Sequence, residues 1–263
     1  MQFNNKTKLL ISVSSNPTNF GVTIYNHLFK KLNMNFVYLP FNMTNAENVI
    51  SIISKLSIHG CSVSSPLKHD LYNLVNEVDP VVNKLKNINT ILNDSGNLKG
   101  FNTDYYGFKK LIEGKAYENI LIYGYGSVTN TIVNCLMDIG IENISITGRD
   151  KSKTKLFIEN NHLEYFDRNI SYDVLVNATP SGQENDDIIN FLDNCTNLID
   201  LNVNNKDSFL INIANQKGMD ISKGVEMSIL QLQKQFEIYF GFKPDKNLIK
   251  EGLDIYKNLS KDD

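Results

Sequence analysis

Short β-rich runs alternate with helical patterns along almost the whole chain, and this alternation constrains the fold more than any other feature. A strand, an amphipathic helix and a parallel strand make a βαβ unit, whose repetition builds an α/β architecture with a largely parallel sheet. Lys8-Leu9-Leu10-Ile11-Ser12-Val13 reads as a first strand. A helical stripe of Val22, Tyr25, Leu28, Phe29 and Leu32 follows across residues 22–33. Residues 36–39 read as a second strand, 45–57 as a helix, 60–64 as a third strand and 67–76 as a helix. Residues 88–93 and 98–102 flank Asp94-Ser95-Gly96, a hairpin turn signal.

A second series begins near Tyr105. Its strands are expected at 119–124, 143–147, 173–177 and 198–201, with a helix at 127–139. A long helical pattern runs from Val225 to Tyr239, and another follows Pro244. The expected organisation is two α/β lobes: an N-terminal lobe over 1–104, and a Rossmann-type lobe over 105–224. The closing helices, 225–263, are free to return to the first lobe.

Composition removes several functions. The 263 residues suffice for two ordinary domains. With 26 Lys+Arg against 29 Asp+Glu, the net charge of −3 offers no basic field for nucleic acid. Apolar runs such as Leu9-Leu10-Ile11 fall far short of the roughly 20 residues of a membrane span. The segment from Met1 to Lys8 leads into a run too short for the centre of a signal peptide. Cys61, Cys135 and Cys195 form no close pair, and His27, His59, His69 and His162 lack metal-ligand spacing, so neither disulfides nor a metal are expected. The expectation is a soluble, cytoplasmic protein, monomer or homodimer, acting on a small molecule.

One stretch carries a nucleotide-binding signal. Ile120-Leu121-Ile122-Tyr123-Gly124-Tyr125-Gly126-Ser127-Val128-Thr129-Asn130 runs from a buried strand through a glycine turn into a helix. Gly124 permits the tight turn, and Gly126 lets the backbone approach a pyrophosphate. A helix starting near Ser127 would present free N–H groups and its positive dipole end to that anion. Thr129 stands where the third glycine of G-x-G-x-x-G belongs, so an ordinary βα turn stays open as an alternative. The next strand ends at Thr147-Gly148-Arg149-Asp150-Lys151-Ser152-Lys153. An Asp or Glu there selects the ribose hydroxyl of NAD, whereas a guanidinium brackets a 2′-phosphate. Arg149 points to NADP; Asp150 dissents, and a solvated charged loop is the alternative.

A candidate reaction centre lies in the first lobe. Val63-Ser64-Ser65-Pro66-Leu67-Lys68, Ile88-Asn89-Thr90 and Gly100-Phe101-Asn102-Thr103-Asp104 each place polar residues at the carboxyl end of a strand, where open α/β sheets bind ligands. A Lys and an Asp meeting there suit proton transfer to or from a ketone oxygen. A surface ion pair is the competing reading for Lys68 and Asp104.

These stretches, in this order, resemble the shikimate dehydrogenase family over nearly the whole chain. The family's V-T-x-P-x-K is similar to Val63–Lys68, its V-N-T to Ile88-Asn89-Thr90, and its G-x-N-T-D to Gly100–Asp104. Its N-R-T loop resembles Gly148-Arg149-Asp150, and its N-A-T-P-x-G matches Asn177-Ala178-Thr179-Pro180-Ser181-Gly182. Its closing G-x-x-M-x-x-x-Q and F-x-x-x-x-G resemble Gly224–Gln231 and Phe236–Gly241. The resemblance implies NADPH-dependent, reversible reduction of 3-dehydroshikimate to shikimate, with Lys68 and Asp104 as the catalytic pair. It implies Asn89, Gln231 and Ser64 as substrate contacts, and Gly124, Tyr125, Gly126, Ser127, Val128, Arg149, Thr179, Leu201 and Gly224 as cofactor contacts.

The departures fall on one part of that pattern. Where the family carries two serines that hold the substrate carboxylate, this chain has Asn19 and Gly21, and Val203 replaces a further Tyr. Losing such hydrogen bonds, at about 1.5–3 kcal/mol each for a charged partner, weakens shikimate recognition by orders of magnitude. The pattern is similar to the shikimate dehydrogenase-like subfamily, which keeps the catalytic pair and treats shikimate as a poor substrate. A different hydroxylated ring, or an NADP-binding sensor without turnover, are the alternatives.

Overall fold

The computed structural model describes residues 4–179, 187–203 and 209–259. The chain forms two compact units, Met1–Thr103 with Gln231–Asp263, and Asp104–Leu230. Both are α/β. In chain order the elements are β1 (Lys8–Ser14), α1 (Asn19–Lys31), β2 (Phe36–Asn42), α2 (Ala46–Lys55), β3 (Gly60–Val63), β4 (Glu77–Val78), α3 (Pro80–Leu85), β5 (Thr90–Asp94) and β6 (Asn97–Phe101). Then come α4 (Thr103–Leu111), β7 (Asn119–Tyr123), α5 (Ser127–Asp138), β8 (Asn143–Thr147), α6 (Lys151–Asn161), β9 (Glu164–Tyr165) and β10 (Tyr172–Asn177). The series closes with α7 (Asp187–Leu192), β11 (Cys195–Asp200), α8 (Phe209–Gln216), β12 (Asp220–Lys223), α9 (Gly224–Phe240) and α10 (Lys246–Leu259).

The first unit holds a six-stranded sheet in the order β2-β1-β3-β5-β6-β4. It is mixed: β5 runs antiparallel to both β3 and β6. That geometry corrects one reading of the sequence. Asn89 precedes β5 and so lies at its amino end, yet the reversal of β5 brings it to the edge where β3 and β6 finish. Ile11, Val13, Val49, Ile53, Val63 and Ile91 pack this core with no more than 4 % exposure.

Residues 67–76 are not a helix. A single 3₁₀ turn spans Asp70–Asn73, and the rest is irregular. The backbone explains the failure, because the Lys68 carbonyl accepts the Ile88 N–H at 2.8 Å and is lost to the Tyr72 N–H, which turns to His69 O at 3.2 Å. A helix needs that i→i+4 carbonyl. A long-range bond therefore overrides local periodicity and ties Lys68 to the entry of β5.

Helix α10 packs on α1 within this unit. Gly252 makes the approach possible, since a Cβ there would lie 3.1 Å from Ile24 Cα. Ile249 and Leu253 bury the same face, while Glu251 pairs with Lys31 at 2.9 Å and His27 at 3.1 Å on the rim.

The second unit is a fully parallel sheet in the order β12-β11-β10-β7-β8-β9. Its central strands bury both faces: residues 120–123 are 1 % exposed or less, as a sheet covered on two sides requires. Among the described residues, no helix is long and apolar enough to cross a membrane.

Candidate functional site

In the second unit, the carboxyl ends of all six parallel strands lie along one edge. β7 and β10 are neighbours, and the chain leaves them in opposite directions, β7 to β8 and β10 to β11. A ligand crevice forms outside the carboxyl ends of the strands at such a reversal. Gly124 follows β7 with φ +126°, a conformation that glycine adopts without strain. Its N–H donates to Thr147 O at 2.9 Å, and a Cβ would stand 3.2 Å from the Ala178 carbonyl. The glycine threads between the ends of β8 and β10. Gly126 is the N-cap of α5, with no side-chain capping bond and open space where a Cβ would project. The first-turn N–H groups of Ser127 and Val128 thus have no capping side chain, and a helix start of that kind can take an anion. The Tyr125 ring covers Gly148, 3.0 Å from where its Cβ would be.

Thr129, in the third-glycine place, is fully buried, and its hydroxyl has no hydrogen-bond partner among the described residues. The helix accepts the larger residue at the cost of an unpaired polar atom. Replacing it with valine, which keeps the shape and removes that atom, is expected to stabilise the protein by about 1 kcal/mol. Urea unfolding midpoints measure the gain; a loss would mean that the hydroxyl is satisfied.

At the end of β8, Arg149 is exposed, and Asp150 is spent on helix α6. Its carboxylate caps the helix, accepting the Lys153 N–H at 3.0 Å, and this bond is the main cause that lowers its pKa. An acid in that place is explained by capping. Arg149 and Lys151 line a cavity of about 450 Å³ with Tyr165, Phe166, Arg168 and Phe191. Arg168, a second guanidinium on the cavity wall, carried no local sequence signal.

The ends of β10 and β11 share a buried polar network. Asp200, fully buried, accepts from Asn177 Nδ2 at 3.1 Å, from Asn202 N at 3.2 Å and from Asn202 Nδ2 at 3.1 Å. Asn177 Oδ1 in turn accepts from Thr179 Oγ1 at 2.6 Å and Thr179 N at 3.2 Å. Thr179 and Leu201 are thereby fixed in place; Leu201 N also donates to Asn177 O at 3.1 Å. Asp200 was read only as part of a strand, although an aspartate closing an apolar run is itself a signal. Gly224, the first residue of α9, lies against this loop so closely that a Cβ would stand 2.3 Å from Leu201 O. Residues 180–182 of the N-A-T-P-x-G motif lie outside the described residues.

In the first unit a second set gathers at one sheet edge. Ser64 N donates to Val13 O at 3.0 Å, Val63 N to Asn89 O at 2.8 Å and Asn89 N to Phe101 O at 3.0 Å. With the Ile88–Lys68 bond, these lace the segments carrying Ser64, Lys68, Asn89 and Thr103 into one rim. Asp104, the residue at which the second unit begins, is buried at 8 % exposure in the first turn of α4, where the helix dipole favours a carboxylate. Asn102, in the same motif, is structural: its amide donates to Asn87.

Asn89 is 3 % exposed, and its two amide ends differ sharply. Oδ1 accepts from Thr90 Oγ1 at 2.9 Å, Thr103 N at 2.8 Å and Thr103 Oγ1 at 3.1 Å. Nδ2 has no hydrogen-bond partner among the described residues. A buried donor left open calls for an acceptor, which an ordered water or a ligand can supply. Gln231, half-buried, lies on α9. Asn19 opens α1 and is exposed, with Thr18 as its cap. Gly21 is different, because its Cβ position is 2.9 Å from the Tyr38 hydroxyl. Tyr38 is itself 2 % exposed and stacks on Tyr25 at 4.7 Å, so a serine at 21 has no room without moving that pair.

The cysteines offer no nucleophile. Burial pushes the thiols of Cys135 and Cys195 up to about 12 and that of Cys61 higher still.

A shikimate dehydrogenase-like protein of Haemophilus influenzae is 31% identical to this chain over 261 residues, covering 94% of it and 96% of the relative. The chain belongs to the shikimate dehydrogenase family. The family model for the shikimate dehydrogenase substrate binding domain matches residues 17–91, the span from the start of α1 to β5. The shikimate dehydrogenase (NADP(+)) of Clostridium beijerinckii is 28% identical over 89% of this chain and 92% of its own. A solved shikimate 5-dehydrogenase-like protein superposes with a TM-score of 0.87 at 29% identity, covering 97% of this chain and all of that one. For a shikimate dehydrogenase family member, the matched substrate domain holds Gly21, Ser64, Lys68 and Asn89 together in the first unit.

Proposed function

We propose that this protein is an NADP-dependent dehydrogenase that reversibly reduces a 3-dehydroshikimate-type ring ketone to its secondary alcohol. Asn89 carries the reading: a buried amide with its oxygen saturated and its Nδ2 open, laced by backbone bonds to the Lys68 segment. Leaving such a donor unpaired is costly, and a ring hydroxyl is an acceptor that relieves it.

The residues fit a dinucleotide. Gly126 presents open space beside the uncapped start of α5, where Gly124–Val128 would hold a pyrophosphate. Arg149, on a cavity that Arg168 also lines, would face a 2′-phosphate, while Thr179, Leu201 and Gly224 would line the nicotinamide end. NADPH, when bound, supplies hydride for the ketone carbon. Lys68 would donate a proton from Nζ to the ketone oxygen as negative charge develops there, and take it back in the reverse direction. Asp104 would hold that ammonium in line. Asn89 and Gln231 would bond ring hydroxyls, with Ser64 and Asn19 at the same rim.

A specific observation favours a narrower reading. Gly21, in the place of a carboxylate-holding serine, is packed under Tyr38, and Val203 lacks a hydroxyl. Shikimate itself is then a poor substrate, and a related cyclic hydroxy compound the better one. Steady-state oxidation of shikimate, quinate and aminated analogues with NADP⁺ and NAD⁺ tests both readings. Turnover of a ring alcohol with NADP⁺ preferred is the expected result. Shikimate oxidation at the efficiency of an ordinary biosynthetic enzyme would overturn the narrower reading, and no turnover of any ring would overturn the broader one.

A further inference from the structure

We propose that Gln235 is a positioning residue, tying helix α9 to Asn89 and fixing the direction in which the Asn89 amide offers its N–H groups. The inference rests on the role proposed above for Asn89 toward the substrate. Gln235 is 4 % exposed and lies one turn after Gln231, on the same face of α9. Its Oε1 accepts from the Tyr25 hydroxyl at 2.7 Å and from Ser62 Oγ at 3.1 Å. With both of those donors on the oxygen, the amide nitrogen is turned toward Thr90, and Nε2 donates to Thr90 Oγ1 at 2.7 Å. A hydroxyl has one proton, so Thr90, having accepted from Gln235, donates onward to Asn89 Oδ1 at 2.9 Å.

The result is a one-way chain of donors: Tyr25 to Gln235 to Thr90 to Asn89. It ends at an amide whose oxygen is filled and whose Nδ2 is open. The Thr103 N–H works in the same direction from the other side, at 2.8 Å. Buried networks in which every donor has one place to go specify a single arrangement. Gln235 also sets the spacing of the two amides proposed to meet the substrate, because Gln231 rides on the helix that Gln235 anchors.

Two substitutions separate positioning from mere filling. Gln235→Met keeps the volume and breaks the chain. It is expected to raise KM for the ring substrate about tenfold, the loss of roughly one hydrogen bond's alignment, with kcat little changed. Gln235→Glu gives a pH signature. A neutral carboxyl donates to Thr90 as the amide does; a carboxylate cannot, and draws the Thr90 proton to itself. Burial raises the acid's pKa, so relative to wild type at each pH, KM should match near about pH 6 and resemble the methionine variant near about pH 9. The titratable groups around this position are Tyr25 on α1, Tyr38 on β2, Cys61 on β3 and Tyr239 on α9, all held neutral by burial. His59 is engaged by Tyr239 O at 2.8 Å.

A methionine variant with wild-type KM, or a glutamate variant whose ratio to wild type is flat with pH, would overturn the proposal. If Gln235→Met does not fold, the glutamate pH split decides alone. If wild-type protein turns over no ring substrate, the functional reading fails. The chain is then tested by the Asn89 side-chain amide resonances in isotope-labelled protein, which should shift in both variants. Unshifted resonances would overturn it.

Discussion

Replacing Lys68 by alanine is expected to lower kcat/KM for the ring substrate by about 10²–10⁴-fold, the range a positioned proton donor supplies. The proposed reduction would develop an alkoxide, which without the ammonium would be left to water. The substitution should leave the fold intact. The structural duty of Lys68 is borne by its carbonyl, which accepts from Ile88 N, and alanine keeps that carbonyl. NADPH binding, followed by quenching of its fluorescence, should be unchanged, since no residue proposed to hold the cofactor is altered. Asp104→Asn should fall in the same direction, because an amide cannot hold the ammonium by charge. A Lys68→Ala enzyme with wild-type kcat/KM would remove Lys68 from the chemistry. A protein with no turnover to lose, but with NADPH quenching intact, would be a sensor.

The second large effect is on stability. Gly224→Ala adds a Cβ whose place is 2.3 Å from Leu201 O and 2.4 Å from Leu201 C, so backbone has to move. Little on the other side can give. Leu201 N is bonded to Asn177 O, and Asn202 is held twice by the buried Asp200 carboxylate. The expected loss is about 2–3 kcal/mol, the upper part of the overpacking range. For a unit of this size that corresponds to a melting temperature lower by roughly 5–10 °C. Cofactor affinity should fall with it, since the same displacement moves Leu201 and Thr179 at the strand ends. An alanine variant that melts with the wild type would mean that α9 starts further from β11 than the structure places it.

Much of the candidate site is legible because it is local. Gly124, Gly126 and the helix behind them form one continuous stretch, and a turn needing φ +126° can be filled by glycine with little strain. Lys68, Asn89 and Asp104 were legible as residue types in motifs. What escaped was set by partners remote in the chain. The helix expected at 67–76 fails because Ile88 takes a carbonyl twenty residues away. Gly21 looked like an empty serine place; Tyr38, seventeen residues on, fills it. No local pattern singles out Gln235, and Asp200 reads only as part of the strand expected at 198–201.

Amphipathic periodicity and glycine placement, read from the amino acids alone, determined that this chain builds two α/β units with a glycine turn between the first strand and helix of the second sheet. These depend on backbone sterics and on burial, which act over a few neighbouring residues. Tertiary structure alone decided which end of the Asn89 amide stays open, that the hairpin strand β5 pairs antiparallel with β3 and so brings Asn89 to the edge shared with Lys68, and that Asp150 caps a helix. Hydrogen bonds are directional and each donor is spent once, so those outcomes follow from which distant segments meet, a fact no local pattern records.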